Sequence, residues 1–276
     1  MMNFGRFLER TEVDKDPTAA NFPRQVWEAK EVLPEYRRYL EPWFRRGIAP
    51  EHVLFVPRPW YQPGINEYML AYLEEELMVL ERREDGRIDK SVIKRDDVPC
   101  FCSTEDLLKG CITIYRPVRG VNKKTELYYN RVAKALFLPF LNWLACRPDG
   151  FDCHRAAEGD AMPRRLKQEE LALYNYGKDA YRFGNYGLRW EWRSFRPSGF
   201  LKKKKAVKPS CLLCEMEKGK VLVLLAGSRA DIWYLFNGRA FASLEDNDRM
   251  CRIQISAGNE VIEDRTYRSG GEIGRQ

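Results

Sequence analysis

A chain of 276 residues is long enough for one large core or two ordinary ones, and two is the expectation because single cores stop growing near roughly 250 to 300 residues. Hydrophobic residues at 44% and aromatic residues at 13% exclude a wholly disordered chain, which lacks the apolar surface to offset the entropy of ordering. Lys and Arg exceed Asp and Glu by 47 to 40, a net +7 that favours solubility and attracts anions mildly without singling out a partner.

The opening MMNFGRFLERTEVDKD has no apolar run of signal-peptide length, so the expectation is a cytoplasmic chain, with its eight cysteines as thiols rather than bridges. Residues 1–21 read as a flexible arm. Over 22–50, Val26, Leu33, Tyr36, Leu40 and Trp43 or Phe44 recur at helical spacing. Pro34 and Pro42 interrupt that pattern, which predicts two short helices, because an interior proline removes a hydrogen bond and crowds the previous turn.

The block 51–147 reads as one sheet domain with a capping helix. HVLFVP predicts a strand, and the runs 68–74, 77–83 and 88–93 predict three more, the last two joined across the Asp-Gly of EDGR. LLKG followed by CITIYR, then GVNKKT as a connection and ELYYN, predicts a second hairpin. Residues 132–146, VAKALFLPFLNWLAC, are too short to cross a bilayer and predict a buried helix kinked at Pro139. Antiparallel strands followed by such a helix form a curved sheet or small barrel plugged at one end. The segments ELMVLERREDG, IKRDDV, LLKGCITI and YYN before the apolar helix resemble the bacterial pleckstrin-homology-like (PH-like) domains over about residues 53–146. That resemblance implies a curved seven-stranded sheet with a C-terminal capping helix.

Residues 148–165 read as a Gly, Pro and Asp-rich linker. A second α+β domain is expected over 166–255. It contains a helical stretch over 166–181, then SCLLCEME, a Lys218-Gly219 turn, KVLVLLAG and DIWYLFNG as successive antiparallel strands. Residues 256–276 read as a polar tail. The fold class is therefore α+β throughout.

The strongest functional signal is RFGNYGLRWEWRSFRPSGFLKKKKAVK, residues 182–208. Candidate ligand-binding residues are Arg182, Arg189, Trp190, Trp192, Arg193, Arg196, Lys202, Lys203, Lys204 and Lys205. Cations neutralise phosphates, while aromatic rings stack on bases or lodge among lipid headgroups. The competing structural reading is a strand that buries Trp190 and Trp192 on one face, followed by a solvated lysine loop.

Cys211 and Cys214 have the spacing of half a zinc site, but in a strand positions i and i+3 point to opposite faces, so no metal site is expected. Cys100 and Cys102 share a strand face and read as buried thiols. Asp96-Asp97 and Glu74-Glu75-Glu76 read as solvated turns. With two histidines and no nucleophile elbow, Walker loop, dinucleotide fingerprint or HExxH, neither a catalytic motif nor a cofactor is expected. The functional expectation is a non-enzymatic binding or adaptor protein that recognises an anionic lipid surface or a protein segment, with attachment at the periphery of a membrane. The alternatives are a nucleic-acid-binding protein using the same stretch and an enzyme of a class without these motifs.

Overall fold

The structure, a computed structural model, describes residues 22–58, 64–118, 120–147, 151, 162–181, 187–195, 208–236, 238–247, 250–268 and 273–275. The chain is mixed α+β, its sheets are mostly antiparallel and open-edged, and no closed barrel forms among the described residues. It divides into two compact units. One comprises Met1–Asp97, Leu108–Gly110 and Leu127–Phe140; the other comprises Val98–Leu107, Cys111–Glu126 and Leu141–Gln276.

In the first unit, β1 (Arg24–Gln25), β2 (Val53–Val56), β3 (Glu67–Leu73), β4 (Glu76–Arg82) and β5 (Ile88–Lys94) pair in sequence order as a five-stranded antiparallel meander. Alternate side chains Val53, Phe55, Met69, Ala71, Met78 and Leu80 form one core with Val26, Leu33, Tyr36, Leu40 and Trp43, as the period of two in strands requires. The expected pair of short helices is a 3-10 turn, Ala29–Glu31, and one helix, α1 (Pro34–Arg45). Pro34 occupies the first turn, where a backbone N–H has no partner to lose. Pro42 is held inside the helix by the buried Leu40 and Trp43 on either side of it. Tyr36 donates to Glu67 at 2.8 Å and Arg82 binds Glu35 at 2.7 Å, which fastens helix to sheet. The Asp-Gly turn forms as predicted, with Gly86 at φ +83°.

The predicted helix over 132–146 is a 3-10 segment, Arg131–Phe137, followed by α2 (Leu138–Ala145). Pro139 therefore stands in a first helical turn and not at a mid-helix kink. Phe137, Phe140, Leu141, Leu144 and Ala145 are buried, the core role expected of this stretch. Phe140 meets Tyr72 at 5.5 Å between ring centroids, and His52 stacks on Tyr72 at 4.7 Å.

The second unit is built on β6 (Cys100–Glu105), β7 (Lys109–Val118), β8 (Val121–Asn130), β9 (Gly187–Ser194), β10 (Ser210–Met216), β11 (Val221–Ala226), β12 (Ala230–Leu235) and β16 (Ile273–Arg275). These make an eight-stranded sheet in the order β16-β9-β10-β11-β12-β6-β7-β8, and the ends of β7 and β8 belong to the first unit. A separate three-stranded sheet consists of β13 (Ala240–Asp246), β14 (Met250–Ala257) and β15 (Glu260–Arg268). Cys100, Cys102, Cys211, Val223, Leu225, Trp233 and Leu235 from the large sheet share a core with Ala240, Cys251, Ile253, Ile255 and Ala257 from the small one, a face-to-face sandwich. Helices α3 (Arg164–Glu169) and α4 (Leu171–Tyr181) lie on the other face, where a Cβ on Gly177 would stand 3.4 Å from Leu212.

Four expectations are corrected here. The strands expected in one domain over 51–147 are shared between two sheets, because β6 pairs residue for residue with β12, from Cys100 opposite Leu235 to Glu105 opposite Ala230; a strand pattern does not name its partner. GVNKKT is not a connection, since Val121 opens β8 and only Gly120, at φ +81°, turns the chain among the described residues there. The polar tail over 256–276 supplies β15, β16 and the end of β14. Of the cysteines expected to be thiols, Cys100, Cys102, Cys111, Cys211, Cys214 and Cys251 are free and buried, whereas Cys146, just past the end of α2, is disulfide-bonded; sequence distance does not reveal which sulfurs a fold brings together.

Candidate functional site

Strand β9 carries the centre of the basic aromatic stretch, and its alternation decides the fate of each side chain. Trp190 and Trp192 point to one face and Glu191 and Arg193 to the other. Both indoles are buried, at 4% and 1% exposure. Trp192 donates its indole N–H to Glu169 Oε2 at 2.9 Å, and Arg165 grips the same carboxylate. Arg165 first and Trp192 second hold the Glu169 carboxyl below its ordinary range.

Arg193 is also buried. Glu191 accepts from its Nε at 3.0 Å and its Nη2 at 2.6 Å, and Asp246 on β13 accepts from Nη1. Burial opposes the guanidinium charge, but the two carboxylates outweigh it and raise the Arg193 pKa. Trp190, Trp192 and Arg193 are therefore corrected from ligand-binding to structural residues. A ring inside a core cannot stack on a base, and a cation already met by two carboxylates attracts no further anion strongly. Arg189 is exposed, with Glu191 and Glu215 each at 3.7 Å.

Beyond Ser194, the chain returns at Ser210, its register partner on β10, and Phe195 N–H donates to Pro209 O at 2.8 Å. Residues 196–208 thus join two hydrogen-bonded strands whose base is closed. These thirteen residues contain Arg196, Lys202, Lys203, Lys204, Lys205 and Lys208 and no acid. Lys208 lies 3.4 Å from Glu170. Arg182, Arg196 and Lys202 to Lys205 lie outside the described residues.

No protein-family model, curated protein or solved structure matches this chain.

The cysteine pairs behave as strand geometry requires. Cys211 joins the sandwich core while Cys214 points to the opposite face of β10, so the two sulfurs cannot share a metal ion. Burial raises both thiols, and those of Cys100 and Cys102 as well. Among the described residues no group of three potential ligands converges. Glu74 and Glu75 form the β3–β4 turn and Glu76 opens β4; Arg46 binds Glu76 at 2.7 Å and approaches Glu74 at 3.7 Å.

One constellation escaped the sequence reading. Asp231 on β12, only 2% exposed, accepts from Thr104 Oγ1 at 2.7 Å, Arg265 Nη2 at 2.5 Å and Arg229 Nε at 3.2 Å. Arg265 also reaches Glu263 at 2.6 Å; burial opposes its charge, yet the two carboxylates raise its pKa. The available signal was phase: Asp231 alternates in step with the apolar Trp233 and Leu235. With its oxygens taken by three donors, Asp231 is a cross-sheet fastening and not a general base.

Proposed function

We propose that this chain is a non-enzymatic binding protein that recognises an anionic surface through the connector between β9 and β10, acting at the periphery of a membrane. One observation carries the assignment: thirteen residues closed at their base hold six cations and no acid, while the neighbouring Arg193 and both tryptophans are committed to the fold. Phe200 and Leu201 stand immediately before the four lysines, a composition that suits a headgroup layer above acyl chains. Each lysine near such a surface contributes about 1 kcal/mol. No helix among the described residues is long and apolar enough to cross a membrane. Fold resemblance adds nothing to this assignment, because one scaffold hosts many functions.

Co-sedimentation with phosphatidylserine-containing vesicles tests it. The wild type is expected to bind with an affinity that falls as salt rises, and a form with Lys202 to Lys205 changed to Glu is expected to lose that binding. Equal sedimentation of the two proteins defeats the proposal. Tight, salt-sensitive binding to single-stranded nucleic acid with no vesicle binding would install the nucleic-acid reading instead, although burial has withdrawn the two tryptophans it relied on for stacking.

A further inference from the structure

Strand β5 ends one side of the five-stranded meander in the first unit, and among the described residues only β4 pairs with it. The register with β4 runs without a shift from Ile88 opposite Arg82 to Lys94 opposite Glu76. Just beyond its two ends, Arg83 N–H donates to Arg87 O at 2.9 Å and Arg95 N–H donates to Glu75 O at 2.6 Å. Backbone direction alternates along an antiparallel strand, so Asp89, Ser91 and Ile93 turn their N–H and C=O groups towards β4. Those of Ile88, Lys90, Val92 and Lys94 face away from it, a row onto which another strand can add.

The side chains of that row share one face. Val92 is 47% exposed, Lys90 and Lys94 are exposed on either side of it, and among the described residues neither lysine has an ion-pair partner. The carboxylates around them are accounted for. Asp89 projects from the opposite face and binds Arg83 at 2.5 Å, and Asp96 approaches Arg95 at 3.8 Å. Glu76, opposite Lys94, is held by Arg46 at 2.7 Å. Glu74 and Glu75 share a hollow with Arg46 and Lys94, so Lys90, opposite the buried Leu80, is the cation less offset by acids.

We propose that β5 accepts an extended segment of a partner protein as an added antiparallel strand, with acidic residues opposite Lys90 and Lys94 and an apolar residue between them opposite Val92. Opposite charges facing each other across an antiparallel pair stabilise it, and like charges destabilise it. The outward row contains no acid, so a two-fold pairing of β5 with a second copy sets its lysines against lysines or apolar residues. Nucleic acid or a lipid headgroup meets the lysines but has no peptide groups to complete the backbone row. The edge thus repels itself and selects an acidic strand.

This contact is separate from the connector between β9 and β10, and each can fail without the other. The probe is the capped peptide Thr-Glu-Thr-Val-Thr-Glu-Thr, titrated into the full chain and followed by amide hydrogen exchange in NMR spectra. Binding is expected to slow exchange at the outward amides of Lys90, Val92 and Lys94 and to leave those of Asp89, Ser91 and Ile93, already bonded to β4, unchanged. A Lys90→Glu/Lys94→Glu form is expected to bind this peptide about tenfold more weakly and to prefer one with Lys in place of Glu. Val92→Pro removes an outward N–H, a position where an edge strand tolerates proline, so this form is expected to melt near the wild type and to lose the peptide. The form with Lys202 to Lys205 changed to Glu is expected to bind the peptide as the wild type does. Absence of wild-type binding overturns the proposal, as do unchanged exchange along β5 and binding that survives both β5 variants. Loss of the peptide in the connector form alone also overturns it, because the acids are then held by the connector.

Discussion

The indole N–H of Trp192 donates to Glu169 Oε2 at 2.9 Å, so a residue with the composition of a ligand platform instead ties strand β9 to the last residue of α3. Trp192→Ala is expected to destabilise the protein by about 3 to 5 kcal/mol in urea unfolding, the range for deleting a buried large aromatic side chain. Trp192→Phe keeps most of the volume and should cost less. Glu169 has its pKa lowered in the fold, so the bond's contribution is complete above the ordinary glutamate range and is lost as pH falls through the lowered value. A native-like melting temperature for Trp192→Ala, together with lost vesicle binding, would return this tryptophan to the ligand site.

Asp231 is paired inside the sandwich, where removing it takes a buried counter-charge from Arg265 and an acceptor from Thr104. Asp231→Ala leaves Arg265 with Glu263 as its remaining carboxylate, and a loss of about 3 to 5 kcal/mol is expected from chemical denaturation. Arg265→Met combined with Asp231→Ala should recover part of that loss, because replacing a buried pair by apolar groups is often neutral. Additive losses in the double variant would show that the two residues stabilise the sandwich independently.

What was legible in the chain is what repeats locally. Strands β10, β11 and β12 follow from their apolar runs and turns, and the opposite orientations of Cys211 and Cys214 follow from the period of two. Partnership was not legible. Nothing in CFCSTE says that it pairs with ADIWYL, more than a hundred residues away, and that pairing moves a strand from one unit to another. The tail failed for a different reason. In β15, Ile262 and Tyr267 pack against the sandwich core among charged neighbours such as Glu263, Asp264 and Arg265, so the mean polarity hid a half-buried strand. At the candidate site the positive run was evident, and Glu191 two residues before Arg193 already implied a same-face pair. Asp246, 53 residues further along, did not.

Gly274 stands opposite Trp192 in the β16–β9 register, and a Cβ there would lie 1.9 Å from the indole Cε2. The ring occupies the space a side chain would need. Gly274→Ala is expected to displace β16 or the indole and to cost about 1 to 3 kcal/mol, as overpacking does. Faster hydrogen exchange at the amides of Ile273 to Arg275, with a red-shifted tryptophan emission, is the expected signature. Unchanged exchange and emission would show that β16 tolerates a side chain against β9.

Cys100, Cys102, Cys211 and Cys214 all have thiol pKa values raised by burial, Cys102 also by Asp231 and Cys214 also by Glu215. The folded state therefore holds protons that the unfolded state releases near the ordinary thiol value of about 8.5. Below that pH the contribution of these groups to stability is fully present. Above it, the unfolded state binds fewer protons than the native state, and stability declines progressively towards the raised native values. The melting temperature should accordingly be flat in this respect up to about pH 8 and fall beyond about pH 9. A thiol reagent at pH 8 should label these four positions only as fast as the protein opens, and rapidly in denaturant, because the thiolate is the reacting species. Labelling of the native protein at the rate of a free cysteine would mean that the sandwich and helix faces of β6 and β10 are open to water.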